Sequence, residues 1–296
     1  MSRLSQGKFS FPFWLGLMLM IPSWIVNWSV SGLRTHLLFF PLWLGYSLTI
    51  DGLVFYKTGD SLLHRSWKRF IGLFLISAPC WWLFELINLR TQNWLYLGKA
   101  QFTPFEYFIF ASLSFSTVMP AVFETAEWVS TWRLFRRSAT RCRVPSELRH
   151  LKFYFFLGLL LLLMLLIWPE WFYPFVWLSV YLIIDPINVK LGGRSLFDSL
   201  KNGEWRIVRA LWIGCLICGF LWEFWNFHSF PKWIYHTPHV QFMHVFEMPI
   251  LGYSGYLPFS MELYALYHLL TFIIEKRKNF YLFSPNRLDT DLSGMK

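Results

Sequence analysis

Charged residues are scarce in this sequence of 296 residues, at 15% against 55% hydrophobic residues, and its mean hydropathy is +0.40. The apolar residues occur in runs of about 20, the length needed to cross a bilayer core of about 30 Å. A soluble globular fold is therefore excluded, and we expect an integral membrane protein.

Cysteine is also rare, with four residues. Cys80, Cys215 and Cys218 lie within hydrophobic runs and Cys142 lies in a basic loop, which indicates neither a disulfide framework nor a tetrahedral metal site. Cys215 and Cys218 form a C-x-x-C pair, but packing within an apolar helix explains them better than redox chemistry. The sequence contains no nucleotide-binding loop or dinucleotide fingerprint, so we expect no cofactor.

The formal net charge is +10. In a soluble chain this would favour nucleic acid as a partner, but here the basic residues lie between hydrophobic runs, where they orient the chain. Assigning alternate loops to one side gives 23 Lys and Arg residues there and 4 on the other. We therefore expect a multi-pass protein of the cell (inner) membrane with both termini cytoplasmic, whose partners are membrane lipids and a hydrophobic small molecule rather than nucleic acid.

The hydrophobic runs number eight and predict an all-α, polytopic fold. They cover residues 11–28, 36–56, 69–89, 104–129, 152–168, 172–189, 207–228 and 245–274. The first run could be a signal peptide, but Ser29 and Ser31 make a poor cleavage site, and we interpret it as a retained span. The run Leu159 to Leu166 carries no polar side chain, so this helix and the first one are expected to face lipid.

A shift of about 134 residues aligns the chain with itself. The shift pairs Trp43 with Trp177 and Asp51 with Asp185. After a four-residue insertion, it pairs Glu85 with Glu223, Asn88 with Asn226, and Glu124 with Glu262. We expect a 4+4 parallel repeat related by a pseudo-twofold axis along the membrane normal. The predicted units are residues 1–132, a basic cytoplasmic linker at 133–151, residues 152–275, and a cytoplasmic tail at 276–296.

Two helices carry a glutamate and an asparagine three residues apart, in WLFELIN (82–88) and FLWEFWN (220–226). This spacing places Glu85 beside Asn88 and Glu223 beside Asn226 on one helix face. Because a carboxylate within the membrane is costly, such residues usually face the interior and mark a site. Asp51 and Asp185, near the boundary, are more typical of a structural role.

Burial favours the protonated carboxyl, which is a general acid. The chain also has 18 Trp, 32 Phe and 13 Tyr, whose ring faces attract cations. Together these features favour protonation of an alkene and guidance of the carbocation. The candidate acids and bases are Glu85, Glu124, Glu223 and Glu262. The candidate substrate contacts are Asn88, Asn226, Glu106, Glu247, Trp82, Trp222, Trp225 and Tyr264.

Other interpretations remain open. The carboxyls could lock the bundle by hydrogen bonds, couple protonation to transport or lipid carriage, or belong to a structural subunit. His228, His236, His239 and His244 lie near Glu223 and Glu247, but their spacings of 8, 3 and 5 match no familiar metal motif. An outer loop with interfacial histidines is the simpler hypothesis.

The unit Asp51-Gly-Leu-Val, followed by Gly59 and by a late helix with Pro before Glu, resembles the membrane-embedded lycopene cyclase domain. That resemblance implies a duplicated helical unit that cyclises a linear carotenoid without net redox change, using carboxylates of a Pro-x-Glu-Glu motif. Here Pro120 precedes Glu124 and Pro258 precedes Glu262, with three residues between and no paired glutamates. The resemblance therefore carries over Glu124 and Glu262.

Overall fold

The computed structural model describes residues 9–132, 140 and 142–283. This part of the chain is predominantly helical and contains eight helical segments long and apolar enough to cross a membrane. They are Phe11–Ser29, Thr35–Thr58, Trp67–Thr91, Pro104–Ser130, Leu148–Ile167, Pro169–Leu191, Arg206–Phe227 and Ile250–Glu275. The prediction of an all-α, multi-pass membrane protein is confirmed.

Several of these segments contain more than one element. The helices are α1 (Phe11–Ser29), α2 (Thr35–Thr58), α3 (Leu62–Arg65), α4 (Trp67–Thr91), α5 (Pro104–Ser116), α6 (Val118–Ser130), α7 (Leu148–Ile167), α8 (Pro169–Phe172), α9 (Val176–Leu191), α10 (Leu196–Leu200), α11 (Arg206–Phe227) and α12 (Tyr256–Glu275). The short strands are β1 (Trp94–Leu97), β2 (Lys232–Tyr235), β3 (His244–Val245) and β4 (Met248–Pro249).

Strands β1 and β2 form an antiparallel ribbon that joins the two halves of the chain, with Trp94 opposite Tyr235 and Leu97 opposite Lys232. We call the side of the bundle that carries this ribbon the ribbon end. The opposite side, where α3, α10 and residues 142–147 lie, is the linker end. Part of the predicted linker, residues 133–139 and 141, lies outside the described residues, as do residues 284–296 of the predicted tail.

The last span begins later than predicted, at Ile250 rather than at residue 245. Residues 244–249 instead form the hairpin of β3 and β4. Phe246 has φ 60°, a turn conformation that no helix interior accepts. The hairpin therefore holds Glu247 outside the helix in which the sequence placed it.

Matched residues make matched contacts in the two halves. Asp51 accepts hydrogen bonds from the Ser61 hydroxyl at 3.0 Å and the Leu63 N–H at 2.9 Å. Asp185 accepts them from the Ser195 hydroxyl at 2.7 Å and the Phe197 N–H at 3.1 Å. Each carboxylate therefore satisfies free N–H groups at the start of a short helix, α3 or α10. This geometry supports the structural role predicted for both aspartates.

The fourth span is broken between α5 and α6 at Thr117, three residues before Pro120. Proline lacks an N–H and interrupts the helical ladder there. The Ser77 hydroxyl of α4 donates to the Phe115 carbonyl at 2.6 Å and accepts from the Met119 N–H at 3.1 Å. A neighbouring hydroxyl, rather than a carboxyl, satisfies the backbone at this break.

Glycines let the helices approach closely. A Cβ on Gly45 of α2 would lie 2.5 Å from the Met20 nitrogen of α1, and one on Gly214 of α11 would lie 2.7 Å from the Ala126 nitrogen of α6. Helix α6 thus packs on α11 across the two halves. Helices α1 and α7 lie at the periphery, with 17% of each buried, as predicted for lipid-facing helices.

Residues 276–283 fold back over the linker end and are buried there at Tyr281, Leu282 and Phe283. Arg194 donates to the Leu282 and Phe283 carbonyls. The Phe283 N–H donates to Glu127 at 2.6 Å, and Glu127 also forms a two-pronged ion pair with Arg65. We call residues 279–283 the closing segment, because it ties α3, α6 and the α9–α10 loop together.

Candidate functional site

Glu85 lies near the ribbon end of α4, and one of its carboxyl oxygens accepts three hydrogen bonds. Its Oε1 accepts hydrogen bonds from the Trp81 indole at 2.9 Å, the Trp94 indole at 2.9 Å and the Tyr96 hydroxyl at 2.6 Å. Trp81 is one turn earlier on α4, whereas Trp94 and Tyr96 are on β1. An indole N–H can only donate, so this oxygen is held as an acceptor.

Glu223 repeats the arrangement on α11. Its Oε1 accepts from the Trp233 indole at 3.3 Å, the Tyr235 hydroxyl at 2.7 Å and the Tyr256 hydroxyl at 3.2 Å. Its Oε2 is buried and has no hydrogen-bond partner among the described residues. This second oxygen is where a proton can reside without displacing the three donors.

The two asparagines hold the ribbon to the helices. Asn226 donates to the Trp233 carbonyl at 2.8 Å and accepts from the Trp233 N–H at 3.0 Å. Asn88 donates to the Trp94 carbonyl at 2.8 Å and accepts from the Asn93 N–H at 2.9 Å. The Glu-x-x-Asn motif therefore clamps a Trp-x-Tyr strand, with Asn bound to its backbone and Glu to its side chains. Neither asparagine lines the cavity described next.

A cavity of about 510 Å³ opens at the ribbon end between the two halves. That volume falls within the range of about 300–1,000 Å³ typical of small-molecule sites. Its wall is apolar and rich in aromatic side chains, which include Trp81, Tyr96, Trp177, Trp222, Tyr235 and Tyr256. The hydroxyl-bearing rings of both carboxyl clusters thus face one shared space, although neither Glu85 nor Glu223 lines it.

Ring contacts make this wall continuous. Trp177 packs against Trp94 with ring centroids 6.1 Å apart and against Phe259 at 4.8 Å. Trp222 in turn packs against Tyr256 at 5.9 Å and Phe259 at 6.4 Å. An apolar ligand in the cavity would therefore meet ring faces from one carboxyl cluster to the other.

The strand tyrosines stay protonated over a wide pH range. Burial, with the Glu85 carboxylate nearby, raises the pKa of Tyr96 well above its usual value. Burial and the Glu223 carboxylate raise the pKa of Tyr235 in the same way. A phenol that is protonated at neutral pH keeps donating to its glutamate.

Gly219 makes room for Tyr256 beside Glu223. A Cβ at position 219 would lie 2.3 Å from Cε2 of the Tyr256 ring. Gly219 is one turn before Glu223 on α11, so the absence of a side chain there allows the ring to lie flat against the helix and its hydroxyl to reach the carboxyl. Tyr256, which the sequence prediction missed, therefore belongs to the Glu223 cluster.

Glu124 and Glu262, which the resemblance singled out, lie deeper than the cavity. Both are fully buried, and their carboxyl oxygens have no hydrogen-bond partner among the described residues. Glu262 is one turn beyond Phe259, a cavity-lining residue, and Glu124 is about 9 Å of helix rise beyond Val118, another lining residue. The structure brings neither glutamate to the cavity surface.

The other predicted contacts are scattered. Glu106 is exposed and caps α5, where its carboxylate accepts from the Thr103 N–H at 2.9 Å. Glu247 pairs with Lys232. Trp82 donates to the Ser112 hydroxyl at 3.0 Å and does not line the cavity. Of the predicted tryptophans, Trp222 lines the cavity.

Trp225 and Tyr264 also lie away from the cavity. Trp225 packs against Trp43 with ring centroids 4.9 Å apart. Tyr264 packs against His268 at 4.3 Å, near the linker end. Both are core residues.

The histidines after α11 are dispersed. His239 stacks on Trp171 and lies 3.2 Å from Glu170, and His244 contacts Gln241 at 2.9 Å. Within residues 9–132, 140 and 142–283, no three His, Cys, Asp or Glu side chains come together as metal ligands would. Cys215 and Cys218 are free thiols, and Cys218 contacts the Thr125 hydroxyl at 3.2 Å.

The chain matches no protein-family model, no curated protein and no solved structure.

Proposed function

We propose that this multi-pass membrane protein binds an isoprenoid-like lipid in the aromatic cavity and converts it by acid-initiated cyclisation or isomerisation. The observation that carries the proposal is the position of Tyr256, which lines the cavity and donates to Glu223. A buried carboxyl is thereby connected to the wall of an apolar, aromatic pocket.

The wall supports the binding part of the proposal. An isoprenoid chain is apolar and unsaturated, and indole and phenyl faces offer it both burial and dispersion contacts. The faces of Trp177, Trp222 and Phe259 would also stabilise a carbocation without reacting with it, because an aromatic face attracts cations.

The paired clusters support the chemical part. In this proposal Tyr256 gives its hydroxyl proton to a ligand double bond and takes the proton of Glu223 in its place, which leaves Glu223 as a carboxylate. The carbocation closes a ring or shifts its charge, and a carbon-bound proton then passes to the Tyr96 oxygen while the Tyr96 hydroxyl proton passes to Glu85. The ligand gains one proton and loses one, so the reaction needs no oxidant or reductant, and proton exchange with water returns Glu223 and Glu85 to their starting states before the next turnover. Glu124 and Glu262 are assigned no contact with the ligand.

The test is to purify the protein in mild detergent and identify the co-purifying lipids by mass spectrometry. We expect an enriched isoprenoid, and a larger share of the linear form from the Glu223→Gln protein than from the wild type. Glu106→Gln is the matched control, because this exposed carboxylate lies outside the site. Equal ratios of linear to cyclised forms in wild type and Glu223→Gln would refute the acid role.

A carrier is the second candidate, favoured by one observation. Neither Glu85 nor Glu223 lines the cavity, and each has one oxygen already engaged by three donors. A carrier would bind the lipid and release it unchanged. Transfer of a fluorescent isoprenoid between vesicles, without a change in its mass, would favour this function over the enzyme.

We also propose that the ribbon end faces away from the cytoplasm, in the cell (inner) membrane, because the linker end holds most Lys and Arg residues. Cys142 is exposed at the linker end, whereas Cys80, Cys215 and Cys218 are buried. A membrane-impermeant maleimide applied to intact cells should therefore leave the wild type unlabelled and label a Lys99→Cys variant. The reverse labelling pattern would refute this orientation.

A further inference from the structure

Two lysines stand at the mouth of the aromatic cavity. Lys99 follows β1 directly after Gly98, and Lys232 begins β2 opposite Leu97. Antiparallel pairing therefore places both at the same end of the ribbon, and both line the cavity. Gly98 has φ 87°, a left-handed conformation that turns the chain at the end of β1, immediately before Lys99.

The charge of this mouth is unbalanced. The cavity lining contains Lys99 and Lys232 but no aspartate or glutamate. Lys232 is paired with Glu247, whereas Lys99 has no carboxylate within ion-pair distance in the described part of the chain. Its ammonium lies 4.4 Å from the centroid of the Tyr107 ring, a residue that also lines the cavity. The ammonium thus lies over an aromatic ring, with no counter-charge among the described residues.

We infer that the ligand of this cavity is an amphiphile whose anionic headgroup, a carboxylate or a phosphate, binds at Lys99 and Lys232 while its apolar chain lies among the tryptophans. The inference rests on the proposed function in that it takes the cavity to be the lipid site. It adds the charge of the ligand and the direction in which the ligand lies, with the headgroup at the ribbon end and the tail toward Phe259.

The arrangement discriminates against neutral lipids by electrostatics. An anion at the mouth gains a charge-assisted contact with Lys99 and competes with Glu247 for Lys232. A neutral alcohol of the same chain length gains neither. Since the site is partly exposed, this preference should weaken as salt is added.

The experiment titrates the detergent-solubilised full-length protein with farnesyl phosphate and with farnesol, following quenching of tryptophan fluorescence. We expect farnesyl phosphate to bind more tightly than farnesol to the wild type. Lys99→Gln should weaken the affinity for farnesyl phosphate by about fivefold to tenfold, which is the effect of losing one charge-assisted contact. The affinity for farnesol should not change. Lys99→Arg should retain the preference.

Lys68→Gln is the matched control. Lys68 also lies over a ring, with its ammonium 5.7 Å from the Trp67 centroid, but it is at the linker end of α4. Its substitution removes the same charge and should change neither affinity. If Lys99→Gln lowers the affinity for both ligands equally, or leaves the affinity for farnesyl phosphate unchanged, the inference of an anionic headgroup is wrong. Binding of farnesol alone overturns it while leaving the proposed function intact, whereas binding of neither probe overturns both.

Discussion

Replacing Asn226 by alanine tests whether the Glu-x-x-Asn motif is a clamp or a ligand site. Asn226 is 2% exposed, and its amide occupies both the N–H and the carbonyl of Trp233. Alanine leaves these two backbone groups unpaired, and each unsatisfied buried group costs about 1–3 kcal/mol. Trp233 is half-buried, so water can recover part of the loss. We therefore expect Asn226→Ala to lower the free energy of unfolding by about 2–4 kcal/mol.

The measurement is reversible unfolding in mixed micelles with increasing denaturing detergent, followed by tryptophan fluorescence. Asn202→Ala is the control, because this exposed amide makes one hydrogen bond at 3.3 Å. Asn88→Ala, which breaks the matching contacts on β1, should cost about as much as Asn226→Ala. If Asn226→Ala is no less stable than Asn202→Ala but loses ligand binding, the clamp is wrong and the asparagine is a ligand-binding group.

Three further predictions concern Gly219, Ser77 and Tyr235. Gly219→Ala should push the Tyr256 ring away, weaken farnesol binding severalfold and lower the free energy of unfolding by about 1–3 kcal/mol. Gly72→Ala is the control, because a Cβ there would meet nothing within 4 Å, and it should change neither binding nor stability. Ser77→Ala should destabilise the fold by about 1–3 kcal/mol, because it leaves the Met119 N–H unpaired at the α5–α6 break, and an unfolding midpoint equal to that of the wild type would contradict this. Because the pKa of Tyr235 is raised in the fold, its contribution to stability is constant below its unfolded pKa of about 10 and falls as the pH rises above it. Between neutral pH and pH values above 10, Tyr235→Phe should therefore lose less stability than the wild type. Parallel curves of unfolding free energy against pH for the two proteins would refute the raised pKa of Tyr235.

The spans could be predicted from sequence because hydrophobic length is a local property. The predicted start of the last span, at residue 245, was wrong because of a different local property, the backbone conformation. Phe246 adopts a left-handed backbone conformation within an apolar stretch, and hydropathy carries no information about the sign of φ. The hairpin became visible only through the pairing of Val245 with Met248.

The candidate site was predicted in part. The repeated Glu and Asn positions did identify the clusters, but the sequence placed Trp82 beside Glu85, whereas the indole that reaches the carboxyl is that of Trp81. Spacings of three and four residues both bring side chains onto one helix face, so the choice between neighbouring tryptophans depends on what packs opposite them. Here β1 and α9 lie opposite, and those contacts are non-local.

The two strands bound by the Glu-x-x-Asn motifs show the same limit. Trp94-Leu-Tyr96 recurs in the sequence as Trp233-Ile-Tyr235. A four-residue strand forms only when it pairs with another strand, however, and the partner of Trp94 is Tyr235, far along the chain. Lys99 and Tyr256 gave no periodic signal at all. A scan for small residues one turn before a buried carboxyl would have drawn attention to Gly219 and hence to a large ring beside it.

The closing segment has a consequence for biosynthesis. Glu127 belongs to the first half of the chain, and it accepts a hydrogen bond from Phe283, which a ribosome adds after all eight spans. Arg65, in the first half, likewise donates to the carbonyl of Tyr281. The first four spans therefore enter the bilayer with part of their linker end unfinished, and the ribosome must translate past Phe283 before that end closes. Separately expressed halves should accordingly be short-lived in cells unless both are made together.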